Sequence, residues 1–170
     1  MKSRSYGFTL VELVAVLALL GILSTVAFSR FSDTASYQER VFRDTLTTSL
    51  RLTQRTALSH NTSTIEWRLN RPSADNWYYA VDIDSTEQVG ETLASSQAVS
   101  YRASLLSGGN ITGTLNLNNT LTLRYDQSGN LIWATNGVVS GALDSSIQLT
   151  TNGQQLCISL TGFAYDGACR

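Results

Sequence analysis

The chain is short of the residues on which most active sites depend. In 170 residues it has one His, one Pro, one Met and two Cys, and Lys2 is its only lysine. A lone imidazole, His60, with no carboxylate or Cys pair close by, cannot by itself make a zinc site or a triad. It is expected instead as a polar residue near a helix C-terminus. No G-x-S-x-G surrounds any serine. Net charge is −1. Setting aside Lys2, Arg4, Arg30 and Glu12, residues 32–170 keep 9 of the 12 basic and 12 of the 13 acidic residues, which argues against a nucleic-acid partner. No catalytic residue, metal site or cofactor is expected.

Two further groups have weak chemical readings. "DIDSTEQVGE" brings Asp82, Asp84, Glu87 and Glu91 together and begins like a calcium loop. It lacks the glycine of such a loop at its turn, so an exposed acidic turn is the expectation. "NWYYA" with Trp67 is an aromatic cluster. On a strand Trp77 and Tyr79 face one side and Tyr78 the other, one set in the core and one at the surface. The competing reading is a surface patch for a neighbouring subunit or ligand.

What the chain does have is a long apolar run, "GFTLVELVAVLALLGILSTVAF", from Gly7 to Phe28. From Leu10 to Phe28 its only charge is Glu12, and about 19 residues at about 1.5 Å each nearly span a hydrocarbon core of about 30 Å. A carboxylate in mid-bilayer costs roughly 2.5–3.5 kcal/mol on insertion scales, so Glu12 requires a reason. Lys2 and Arg4 hold this end in the cytoplasm and place the remainder outside. "STVAFSRF" offers no convincing signal-peptidase site and runs on into a helical pattern.

"G-FTLVE" followed by an apolar helix resembles the class III signal of type IV pilins and of type II secretion pseudopilins. The resemblance is close over about the first 25 residues. It implies that a prepilin peptidase cuts after Gly7 and methylates the new amino terminus at Phe8. Glu12 is then the fifth mature residue, where the family carries a Glu that neutralises the amine of a neighbouring subunit. Gly21 also falls where these helices commonly have a Gly. Major pilins usually carry a Pro at the mature twenty-second position. Here that place is Ser29, without the lost N–H and ring clash that kink a helix, and this favours an accessory subunit.

Beyond Arg30 the pattern turns amphipathic. Phe31, Ala35, Phe42, Leu46, Leu50 and Ala57 recur at three- and four-residue steps. One helix from Phe8 to about Leu58 is expected, its first half in the membrane and a stripe of its second half against a sheet. After Asn61 short alternating runs predict seven strands, at 64–69, 77–82, 98–105, 116–125, 131–134, 147–150 and 155–160. "YDQSGNLIW" is the best hairpin signal, with further turns at "SGGN" and "TNGQ". The fold class expected from these runs is α+β, the long helix packed on a C-terminal antiparallel β-rich domain, and the resemblance implies that this is a type IV pilin fold. The expected segments are a leader (1–7), the membrane and assembly half of the helix (8–30), its amphipathic half (31–60) and the β-rich domain (61–170).

Cys157 and Cys169 have neither CxxC spacing nor a nearby His. Outside the cytoplasm they are expected to pair, the alternatives being free thiols or half a metal site. The tail "CISLTGFAYDGAC" resembles the closing strand and turn of GspH/FimT-like minor pilins, and its terminal loop that of accessory subunits of mannose-sensitive haemagglutinin pili. Some FimT-like members bind DNA through basic residues near the C-terminus, but only Arg170 matches, with Asp166 close by.

The resemblance implies a minor pilin that is first a single-pass inner-membrane protein, its amino terminus cytoplasmic and its C-terminal domain periplasmic. It would then join a pilus or its initiating tip complex on the extracellular side. Implied partners are other pilin or pseudopilin subunits, the prepilin peptidase, and an assembly ATPase acting through a platform protein. The alternatives are a minor pseudopilin of type II secretion and a tip adhesin or DNA-uptake receptor.

Overall fold

The computed structural model describes residues 9–31, 34–60 and 62–170, with the side chains of 25–31 and 34–36 outside that description. Two compact units result, Met1–Tyr37 and Gln38–Arg170. Helix α1 is Leu10–Phe31 and helix α2 is Thr34–Ser59. The join expected to make them one helix, at 32 and 33, lies outside the described residues.

Eleven strands follow, where seven are expected from alternation. They are β1 (Ile65–Ser73), β2 (Asn76–Ile83), β3 (Thr86–Ala94), β4 (Val99–Ser104), β5 (Asn110–Thr114) and β6 (Thr120–Tyr125), then β7 (Leu131–Thr135), β8 (Ser140–Ala142), β9 (Ile147–Thr151), β10 (Gln154–Ile158) and β11 (Ala164–Asp166). They form two antiparallel sheets, ordered β3-β2-β1-β6-β7-β8 and β11-β10-β9-β4-β5. The four additional strands, β3, β5, β8 and β11, are the four sheet edges. An edge has a neighbour on one side only and need not alternate: in β3 every residue but Leu93 is exposed. The expected strand at 116–125 starts only at Thr120, because Asn118 turns the chain at φ 64°.

The core lies where both inner faces meet α2. Across the first sheet one register row runs Val81–Trp67–Leu123–Ala134, all buried. The second sheet contributes Leu156, Leu149 and Tyr101 in a comparable row. From α2 come Phe42, Leu46, Leu50 and Ala57, four of the residues picked out by helical spacing. Ser49 and Thr53 share that buried face. Each hydroxyl bonds a carbonyl of its own helix, Ser49 to Leu46 and Thr53 to Ser49, both at 2.8 Å, so their burial leaves no donor unpaired.

Candidate processing and assembly site

The amino-terminal site begins outside the described residues: Gly7 and Phe8 both lie there. The described part starts with Thr9. Its Oγ1 accepts the Glu12 backbone N–H at 3.3 Å, and its carbonyl accepts the Leu13 N–H at 3.2 Å. Thr9 is thus the N-cap of α1, and Thr-x-x-Glu is the sequence of a capping box. Glu12 falls in the first turn, where the helix dipole favours a negative charge. Sequence reasoning placed Glu12 by family position alone; the Thr9-x-x-Glu12 spacing was the signal for this local role.

From Leu10 to Ser24 every described side chain of α1 is exposed, Leu10 at 78% and Ile22 at 64%. An uncovered apolar helix of this kind requires lipid or other helices around it. Among the described residues no helix is long and apolar enough to cross a membrane. The described side chains of α1 stop at Ser24, whereas the apolar run of the sequence continues to Phe28.

In the C-terminal unit, Cys157 and Cys169 form a disulfide with Cα atoms 5.1 Å apart. Cys157 alternates with the core residues Leu156 and Ile158 and so belongs to the outer face of its sheet, yet it is fully buried. The tail carrying Cys169 covers it. In register, the outer-face row reads Tyr165–Cys157–Gln148–Arg102–Thr112. Sequence reasoning missed Arg102, although its alternation with Tyr101 and Ala103 marks it as facing out.

The acidic group is occupied by structural partners. Asp82, buried, holds Arg68 through Nε and, at 3.0 Å, through Nη2. Asp84 accepts the Thr64 N–H at 2.8 Å, which holds its carboxyl below the usual range. With Ser85 it forms the β2–β3 turn, at φ 50° and 66°. Glu87 accepts from the Tyr78 hydroxyl and lies 3.5 Å from Arg68. Glu91 accepts from the Tyr79 hydroxyl at 3.0 Å. Burial first, and that bond second, push Tyr79 up to about 12. Among the described residues no three His, Cys, Asp or Glu side chains gather as a metal site.

The aromatic cluster is mostly core. Trp67, Trp77 and Tyr79 are buried and Tyr78 lies on the opposite, half-buried face. Trp77 packs on Phe42 of α2, ring centroids 5.9 Å apart, and its Nε1 donates to the Gln97 carbonyl at 3.1 Å. His60 Nδ1 lies 3.0 Å from both the Thr56 carbonyl and the Ser59 hydroxyl, at the exposed end of α2. The hairpin glycine Gly129 and the tail glycine Gly162 meet: a Cβ on Gly162 would stand 1.9 Å from the Gly129 carbonyl oxygen.

No curated protein and no solved structure matches the chain. Residues 2–28 match the prokaryotic N-terminal methylation motif, the signal of type IV pilins and pseudopilins, and this motif followed by an α+β unit is consistent with a type IV pilin-like protein.

Proposed function

We propose that the chain is a minor pilin, cut by prepilin peptidase after Gly7, methylated at Phe8 and built into a type IV pilus or its initiating tip complex. The observation that carries this reading is the methylation motif at 2–28, which takes in most of α1 (Leu10–Phe31), a helix whose described apolar side chains are exposed. Such a helix anchors the precursor in the inner membrane, and it leaves the bilayer only by repacking the same apolar surface against helices of other subunits. The compact unit that follows in the chain, whose α2 stripe is already buried, stays folded through that transfer. The proposed segments are the leader at 1–7, the anchoring and assembly helix at 8–30, the amphipathic helix at 31–60 and the β-rich domain at 61–170. Other pilin subunits, the peptidase and the platform and ATPase of the assembly machine are the proposed partners. The role is structural and involves no turnover.

The test is co-expression of the full chain with a prepilin peptidase, followed by intact mass and amino-terminal sequencing. The expected mature chain begins at methylated Phe8 and co-purifies with other pilin subunits. A mature terminus anywhere else refutes the reading.

A further inference from the structure

The outer face of the second sheet carries a trough that the filament reading does not use. Two hollows adjoin along it, of about 370 and 470 Å³, and a third of about 450 Å³ lies along the C-terminal tail. The first two share Arg102, Thr112 and Gln148, and the second and third share Arg170. Each is the size of an ordinary small-ligand pocket, and the first two, with three wall residues in common, make an elongated path suited to a linear ligand.

The wall chemistry narrows the ligand class. Arg102 and Arg170 both face the central hollow, and among the described residues neither is in an ion pair. Asp166, beside the third hollow, is already engaged by Arg43 at 3.5 Å. An unpaired guanidinium presents a fork that fits a carboxylate. Around the two cations stand Ser104, Thr112 and Gln148, groups that both donate and accept hydrogen bonds. They match ligand hydroxyls, which also do both, better than phosphodiesters, which only accept. At the far end the Tyr165 ring lines the third hollow and stacks on Phe163 at 6.4 Å, a flat apolar surface of the kind on which the C–H face of a sugar ring rests. Two cations on a unit that is acidic overall are too few for a nucleic-acid strand.

We propose that this trough binds an acidic oligosaccharide of the uronic-acid type, its carboxylate held between Arg102 and Arg170. The Cys157–Cys169 disulfide has a part in it. Cys157 sits in the same register row as Arg102, and its bond to Cys169 holds the tail over the sheet, so that Arg170 becomes a wall of the central hollow. The site is complete only when the disulfide is formed. It lies wholly on residues 100–170 and needs neither processing nor assembly, so it stands or falls apart from the filament reading.

The test uses the full, detergent-solubilised chain with its disulfide intact. A short oligogalacturonate, a neutral maltooligosaccharide and a thymidine oligonucleotide are titrated by calorimetry. Saturable binding of the oligogalacturonate is expected, with the other two at least about tenfold weaker. Arg102→Gln, on an exposed outward position, is expected to weaken it about tenfold, the loss of one charge-assisted bond pair. Cys169→Ser is expected to weaken it similarly while circular dichroism shows both sheets retained. Full-strength binding by Arg102→Gln, equal binding of the neutral sugar, tighter binding of the oligonucleotide, or no oligogalacturonate binding at all would each overturn the proposal.

Discussion

Trp67 of β1 donates its indole N–H to the Ser49 hydroxyl of α2 at 2.9 Å, inside a core where both residues are essentially inaccessible to water. The Ser49 hydroxyl spends its own proton on the Leu46 carbonyl, so its oxygen is free to accept. This is a polar clamp between helix and sheet, set among apolar contacts. Ser49→Ala removes the acceptor and strands a buried indole N–H. The expected loss is about 1–3 kcal/mol, the cost of an unpaired buried donor, read as a lower urea midpoint with an unchanged slope. Thr53→Val is the control: its hydroxyl serves only its own helix, and the loss there is expected to be smaller. Equal losses would show that the clamp adds nothing.

The Ser49–Trp67 bond also illustrates which parts of the molecule the sequence discloses. Spacing exposes Phe42, Leu46, Leu50 and Ala57 because apolar residues at helical steps have no other reason to recur. It passes over Ser49 and Thr53, whose hydroxyls are made compatible with burial by carbonyls of the preceding turn. The central strands are legible for the same reason as the helix stripe, since Trp67, Leu69, Leu121 and Leu123 alternate into one core. Edge strands escape because nothing requires β3 or β11 to alternate. Gly129 and Gly162 are each legible as turn residues, but their meeting is a tertiary fact. So is the tail's position over Cys157, which needs the order of the second sheet.

Gly162 has φ 79°, and a Cβ there would lie 1.9 Å from the Gly129 carbonyl oxygen. Gly108 has a similar φ, 85°, with nothing within 4 Å of its would-be Cβ. Alanine at either site meets the same backbone penalty, of about 1–3 kcal/mol for a left-handed non-glycine residue. Only Gly162→Ala must also push apart the turn at 159–162 and the hairpin at 126–130. Its thermal midpoint is therefore expected to fall further than that of Gly108→Ala. Matching midpoints would mean that the two turns can separate freely.

Tyr125 is buried, and its hydroxyl meets no hydrogen-bonding partner among the described residues. Burial raises its pKa, as burial and Glu91 raise that of Tyr79 to about 12. A raised folded-state pKa means that the unfolded chain loses these protons first. The stability from both groups is thus complete below about pH 10, the unfolded value, and is lost as pH rises through the folded one. Tyr125→Phe removes an unpaired hydroxyl and is expected to raise stability at neutral pH by about 1 kcal/mol. It should also make the alkaline loss shallower. Denaturant midpoints measured at about pH 7 and about pH 11 test both parts, and a destabilised Tyr125→Phe variant would show that the hydroxyl is well solvated in the core.

The disulfide closes a short loop, Cys157 to Cys169, at a sequence separation of 12. Chain-entropy reasoning gives such a crosslink about 3 kcal/mol. Of the closed segment, β11 adds three residues at a sheet edge, whereas Leu156 and Ile158 lie just outside or at its start in the core. Reduction is therefore expected to lower global stability by about that amount while leaving the two sheets in place. Hydrogen exchange should accelerate first at residues 164–170. Uniform acceleration over all strands would place the tail in the cooperative core instead.

Two roles proposed for Glu12 are separated by one pair of substitutions. As the fourth residue of Thr9-x-x-Glu12, with its backbone N–H on the Thr9 hydroxyl, it stands at the position from which a capping-box side chain reaches back to the cap, and there Gln serves nearly as well as Glu. As a carboxylate it is the proposed partner for the amine that the proposed cut creates at Phe8 of a neighbouring subunit, a pairing that would offset the desolvation of both charges and penalise a chain docked out of register. Capping alone predicts that Glu12→Gln behaves as wild type and Glu12→Val fails. Charge pairing predicts that both variants still insert and are still cut after Gly7, yet both enter filaments poorly or lose amine methylation. The second outcome is expected, because a neutral amide leaves the buried amine unpaired whatever it does for the helix end. Sheared-filament yield and the intact mass of the membrane-bound pool measure incorporation, cleavage and methylation separately. Normal incorporation of Glu12→Gln would reduce Glu12 to a helix cap.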